Sequence, residues 1–138
     1  MKKIISLTFL FVCVASLQAQ VRYQKFYDAE KKHPAVEGMM TDDSVRTGNW
    51  TFWHPNGQVF QMGQYNDRGE KTGLWKVFYE DGSRCAEENY ENGVSKEWYP
   101  DGSKKSEVPV VAGRKNGMYR SWYPNGQKKE ELTFANGK

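Results

Sequence analysis

The side chains able to do chemistry are few and dispersed. The two histidines, His33 and His54, have no second ligand at the spacing of a metal site. Cys13 and Cys85 are the only cysteines, and Cys13 lies in an apolar leader. One remaining thiol makes neither an internal disulfide nor a thiolate cluster, so Cys85 reads as a small packing residue in preference to an intermolecular bridge. Acids occur as adjacent pairs, Glu87-Glu88 and Glu130-Glu131. Neighbours on a strand point to opposite faces, so these suit solvated or cross-strand paired groups better than a general acid and its base. No nucleophile elbow occurs, and the glycines do not cluster between a strand and a helix as a phosphate loop requires. No catalytic residue, metal or cofactor is expected, and the chain is not expected to be an enzyme.

What recurs instead is a turn. The chain reads Trp53-His54-Pro55-Asn56-Gly57, Phe78-Tyr79-Glu80-Asp81-Gly82, Trp98-Tyr99-Pro100-Asp101-Gly102 and Trp122-Tyr123-Pro124-Asn125-Gly126. Asn-Gly and Asp-Gly mark tight hairpins, which predicts two-residue type I′ turns with φ > 0 at both central residues. Gly57, Gly82, Gly102 and Gly126 are thus structural turn residues. They lie 25, 20 and 24 residues apart, and each follows another glycine (Gly48, Gly73, Gly93, Gly117) by nine residues. Constant spacing inside a unit with variable connections is the signature of a repeat array. No stretch holds a helical period, and 14% aromatics with 13 glycines suit short strands and turns.

The turn also predicts a register. Lys76, Lys96 and Arg120 fall opposite Glu87, Glu107 and Glu131, with Thr51 opposite Met62 in the first unit. Tyr65, Tyr90, Val110 and Phe134 fall opposite Gly48, Gly73, Gly93 and Gly117, where a large side chain would cover the glycine. Arg84, Lys104 and Lys128 fall opposite Tyr79, Tyr99 and Tyr123, with their stems over the rings. Trp122 falls opposite Lys129. Trp53, Phe78, Trp98 and Trp122 then form a column on one face. Trp50, Trp75 and Tyr119, with the three turn tyrosines, occupy the other. Core packing is the simpler reading for Trp50 and Trp75, and His54 reads as a ring in the tyrosine column.

Residues 1–19 have the form of a secretory signal peptide: Lys2-Lys3, an apolar run over Ile4–Val14, and small and polar residues up to Ala19. The expected product is exported to the periplasm, cell envelope or extracellular space after cleavage near Ala19. Without the leader the chain has 18 bases against 17 acids, a net charge of +1. That balance gives no electrostatic footprint for nucleic acid, and membrane lipid is not an expected partner.

The pattern Gly-x-Trp-x-x-(aromatic)-Tyr-x-Asn-Gly is carried by Gly73, Trp75, Phe78, Tyr79, Asp81 and Gly82. Gly117, Tyr119, Trp122, Tyr123, Asn125 and Gly126 repeat it, ending in Asn136-Gly137. It resembles the MORN repeat in the variant found in bacterial YwqK-like antitoxins. The third unit departs, with Ser95 and Glu97 where the second has Trp75 and Val77. The resemblance implies an all-β fold, an elongated single-layer antiparallel meander of consecutive hairpins. The expected organisation is a signal peptide (1–19), a degenerate capping repeat (20–46) and four MORN-like repeats (47–138). Three roles follow as expectations: a protein-interaction or structural scaffold at the bacterial cell envelope, a glycan- or cell-wall-binding aromatic module, and an antitoxin or immunity-like protein. A protein partner or self-association is expected first, with Trp53, Phe78, Trp98 and Trp122 as the candidate binding surface and glycan as a second ligand class.

Overall fold

A computed structural model describes residues 19–138. The leader read over 1–19 therefore lies almost wholly outside the described residues. Eleven strands form one antiparallel sheet: β1 (Gln20–Phe26), β2 (Pro34–Thr41), β3 (Arg46–Trp53), β4 (Val59–Tyr65), β5 (Lys71–Phe78), β6 (Arg84–Asn89), β7 (Gly93–Trp98), β8 (Lys104–Val111), β9 (Arg114–Lys115), β10 (Gly117–Trp122) and β11 (Lys128–Phe134). Sequential neighbours pair throughout, except that β10 follows β8 and the two-residue β9 pairs only with β8. Among the described residues there is no helix, and the fold is an open meander of hairpins. Ten strands side by side, about 4.8 Å apart, make it about 43 Å wide.

The four repeated turns are not type I′. Gly82 N–H donates to Tyr79 O at 2.9 Å, Tyr79 N–H donates to Ser83 O at 2.9 Å, and Gly82 alone of the loop has positive φ, at 81°. This is a three-residue loop, a type I turn closed by a glycine bulge. His54–Gln58, Tyr99–Ser103 and Tyr123–Gln127 repeat it. In three of the four turns proline excludes the two-residue loop, and the turn with Glu80 adopts the same form. In a two-residue loop Pro55, Pro100 and Pro124 would each have to donate a ladder N–H they lack. At the first position of a type I turn their fixed φ fits. Asn or Asp contributes its side chain instead: Asp81 Oδ1 accepts from Ser83 N–H at 2.8 Å, and Asn56, Asp101 and Asn125 do the same.

The longer loop is offset by a one-residue bulge one step along each return strand. Phe78 pairs with Arg84 and Val77 with Ala86, leaving Cys85 between them. Phe60, Lys105 and Lys129 are the corresponding extra residues. Beyond the bulge the predicted register is recovered: Lys76 faces Glu87, Lys96 faces Glu107, Arg120 faces Glu131 and Thr51 faces Met62. Inside it the prediction fails. Arg84, Lys104 and Lys128 pair with Phe78, Trp98 and Trp122, not with the tyrosines, and Trp122 faces Lys128, not Lys129.

Strand pairing between hairpins is set differently. At Gly38 and Gly63 the ladders β2–β3 and β4–β5 are interrupted. Trp50 and Trp75 lie flat on these glycines, so a methyl group at either would overlap an indole. Each indole N–H replaces a ladder donor: Trp75 donates to Gln64 O at 3.0 Å, and Trp50 to Met39 O and Thr47 O, both at 3.2 Å. Both indoles are fully buried, at 0% and 1% exposure. Tyr65 stands edge-on to both, 5.0 Å from Trp75 and 5.9 Å from Trp50. Tyr65, Val110 and Phe134 do pair with Gly48, Gly93 and Gly117, and Tyr90 N–H donates to Gly73 O. They do not cover those glycines. Gly48 and Gly73 have nothing above them, and their need is for φ near +65° within the interrupted ladder.

Candidate binding surface

The turn dipeptides build two adjacent columns, one on each face. The second residue of each dipeptide reaches forward to the next hairpin. Tyr27 Oη donates to Trp53 O at 2.7 Å, Tyr79 Oη to Trp98 O at 2.7 Å and Tyr99 Oη to Trp122 O at 2.9 Å. His54 takes the same place, its Nε2 3.1 Å from Phe78 O, and Phe60 stands edge-on to its ring at 5.0 Å. His54 is thus a clamp between hairpins, held by a carbonyl and an aromatic neighbour. His33 instead closes a local loop, with Nδ1 3.0 Å from Asp28 Oδ2. Among the described residues no group of three or more His, Cys, Asp or Glu is placed to hold a metal. Tyr123 ends the described clamps and is 46% exposed.

The first residues of the dipeptides, Trp53, Phe78, Trp98 and Trp122, are all half-buried. Bases from the preceding hairpin lie on the last two rings. The Arg84 guanidinium is 5.1 Å from the Trp98 ring centroid and the Lys104 ammonium 5.3 Å from that of Trp122. Each base faces the aromatic of its own hairpin and stacks on that of the next. The result is an alternation of ring and cation from Phe78 through Arg84, Trp98 and Lys104 to Trp122, which the shifted register beside the bulge makes possible. Beside it runs the row of charge pairs, where Glu107 is shared: Lys104 approaches it at 2.9 Å and Arg120 at 3.5 Å. Both bases hold the Glu107 carboxyl below the usual carboxylate range, Lys104 most strongly.

The profile of the MORN repeat variant matches residues 46–67, 71–92, 91–111 and 115–136. The chain belongs to the MORN repeat variant family. MORN repeats are in general modules for interaction with proteins or membranes, and the family is a non-catalytic one. Searches among curated proteins and among solved structures found no match. The match is to the repeat, and it does not single out the antitoxin branch. The hairpin β1–β2 lies outside the matched segments, yet it carries the same Tyr27 clamp and the same glycine–indole contact at Gly38.

The sequence columns located the four aromatics but not their partners. The forward stacking of Arg84 and Lys104 needs the bulge, which leaves no mark in composition. Gly38 and Gly63 left one: each precedes its tryptophan by 12 residues.

Proposed function

We propose that this chain is an exported, non-catalytic scaffold of the bacterial cell envelope that docks proteins along Trp53, Phe78, Trp98 and Trp122. The leader over 1–19 delivers it and is cleaved near Ala19. Residues 20–46 act as a degenerate repeat capping the array. The observation that carries the reading is the placement of Arg84 on Trp98 and Lys104 on Trp122. Sugar stacking uses a bare ring face, whereas Trp98 and Trp122 already carry cations. A surface of alternating rings and bases suits acidic and aromatic side chains of a protein, and half-buried aromatics with stacked arginine are the usual anchors of protein interfaces. Glycan binding is therefore the weaker alternative. An immunity-like role would use the same surface, with an exported toxin as the partner.

The test is affinity capture from envelope extract of the source cells, with wild type and Trp98→Ala compared, alongside titration with peptidoglycan fragments followed by tryptophan fluorescence. A specific protein captured by wild type and lost in Trp98→Ala supports the scaffold. Saturable fluorescence change with the fragments and no protein capture would replace it with the glycan reading.

A further inference from the structure

The last two inter-hairpin junctions are built from the same parts. A hairpin offers a clamp tyrosine, a base and an acid: Tyr79, Arg84 and Glu87 at β6–β7, and Tyr99, Lys104 and Glu107 at β8–β10. The next outgoing strand offers one aromatic, Trp98 or Trp122. Its carbonyl accepts the tyrosine hydroxyl and its ring receives the base. Among the described residues β1 and β11 each pair on one side only, and their outer edges carry these parts unjoined. β11 comes with Tyr123, Lys128 and Glu131, and Lys128 lies 3.0 Å from Glu131 as Lys104 lies 2.9 Å from Glu107. Unlike Tyr27, Tyr79 and Tyr99, Tyr123 has no carbonyl for its hydroxyl among the described residues. β1 ends in the receiving aromatic: Phe26-Tyr27 is the first such dipeptide, and Tyr23 precedes Phe26 by three residues as Tyr119 precedes Trp122.

The charges on the two edges are complementary. One rung beside the turn dipeptides crosses the whole sheet, from Lys25, paired with Val36, to Glu130, paired with Ser121. It therefore starts with a base at one edge and finishes with an acid at the other, on the same face. Neither forms an ion pair among the described residues.

We propose that a second copy of this chain docks head to tail, with its β1 antiparallel along β11 of the first. At β8–β10, Ser106 faces Ser121 and Glu107 faces Arg120. The same register between copies sets Glu130 opposite Lys25 and Glu131 opposite Gln24. Tyr123 Oη then donates to the carbonyl of Phe26, and Lys128 lies on the Phe26 ring. Strand direction favours this joint over a symmetric dimer. The turn dipeptide stands before β11 and at the end of β1, so antiparallel β11 and β1 bring the two dipeptides together. Antiparallel pairing of like edges sets them at opposite ends and leaves the clamp open. The charged side chains on both edges oppose pairing with unrelated strands, while Lys25 and Glu130 admit this one. The contact is heterologous, so it repeats into an open chain or a closed ring of copies. The first hairpin, which closes the array in a single chain, becomes the joint between chains. The inference deepens the scaffold reading and does not use Trp98, which lies away from the joint.

Residues 20–138, which hold the whole sheet, are sedimented at rising concentration as wild type, Lys25→Glu, Glu130→Lys and an equimolar mixture of the two variants. Wild type is expected to grow past a dimer as concentration rises. Each variant alone sets like charges opposite each other at every joint, and association weakens about tenfold. In the mixture the native pair alternates with its reversal, so association returns to the wild-type level, and that recovery also shows that both variants fold. Tyr123→Phe weakens association by about threefold, through the lost clamp. Trp98→Ala assembles like wild type. A wild type that stays monomeric at millimolar concentration, or that stops at a dimer, overturns the proposal. So does a mixture no better than its components. Sensitivity to Glu130→Lys without sensitivity to Lys25→Glu overturns it in favour of two β11 edges meeting. Monomeric wild type with Trp98-dependent capture intact leaves the column reading standing, and assembly without any captured protein upholds the joint alone.

Discussion

The first and second halves of the sheet solve one problem in two ways. A single-layer sheet must hold each hairpin to the next without a turn to fix the register. In the first half, β2–β3 and β4–β5 each pair through four residue pairs and are locked by an indole on a glycine. In the second, β6–β7 pairs through only two, β8 pairs through two with β10 and two with β9, and the indole positions hold Ser95 and Tyr119. The glycine positions there hold Glu88 and Val108. The buried row Ser106–Ser121 replaces aromatic area with small polar groups. Hydrogen bonding persists in both halves. Apolar burial persists too, through Ala86, Val108 and Val110, but with small side chains in place of the two indoles, so the first half is expected to be the more stable.

The largest effect should come from removing the lock itself. Trp75→Ala leaves a cavity over Gly63 and an unfilled acceptor at Gln64, and is expected to cost about 3–5 kcal/mol in urea denaturation. The equivalent change in the other half, Ser95→Ala, removes one hydrogen bond, from Asn89 N–H at 2.8 Å, and should cost about 1 kcal/mol. Equal losses at the two sites would mean that the halves do not differ in the way their packing indicates.

Transplanting the lock gives the next effect in size. Ser95→Trp alone should destabilise, because the Glu88 side chain occupies the place that Gly63 leaves open. Glu88→Gly alone should also destabilise, through lost side chain and added chain entropy. The double variant lets the indole lie flat, so a favourable coupling of about 1–3 kcal/mol is expected in a double-mutant cycle. Additive losses would show that the second half differs in backbone path and not only in side chains.

These two sites also show what was legible in the sequence. The all-β meander and the three charge pairs could be read because Asn-Gly or Asp-Gly anchors each hairpin, and because the added loop residue and the bulge cancel. The turn type was misread because Asn-Gly serves both loop lengths. Pro55, Pro100 and Pro124 carried the missing information, through the N–H they cannot donate. Partners inside the bulge were misassigned for the same reason. Between hairpins nothing local fixes the register, so the indole locks emerged only in three dimensions, despite the repeated 12-residue interval from Gly38 to Trp50 and from Gly63 to Trp75.

The column across the turn end should respond less. Arg84→Ala removes a guanidinium from the Trp98 ring at an exposed position, with an expected cost of about 0.5–1 kcal/mol. Val59 stands at the corresponding place one hairpin earlier, paired with Trp53, and carries no charge. Val59→Ala should therefore show no salt dependence in its stability effect, while the Arg84→Ala effect should shrink in high salt. Matching salt responses would remove the cation from the account of the column.

The smallest effect contrasts the middle turns with the outer ones. Asp81 and Asp101 accept from the hydroxyl and backbone N–H of Ser83 and Ser103, and these bonds, the hydroxyl first, hold both carboxyls below the usual aspartate range. A carboxyl whose pKa is lower folded than unfolded adds stability above its unfolded value, near about pH 4, and that stability is lost as pH falls through the folded value. Asn56 and Asn125 hold the same bonds in the outer turns without titrating. Asp81→Asn with Asp101→Asn should therefore flatten part of the acid limb of a stability–pH curve while leaving the neutral plateau almost unchanged. Amide exchange at Ser83 and Ser103 should speed up on acidification relative to Gln58 and Gln127 in wild type, and lose that difference in the double variant. An acid limb unaltered by the double variant would assign acid sensitivity elsewhere. The first place to look would be the paired carboxyls Glu107 and Glu131, whose pKa values are likewise lowered by Lys104, Lys128 and Arg120.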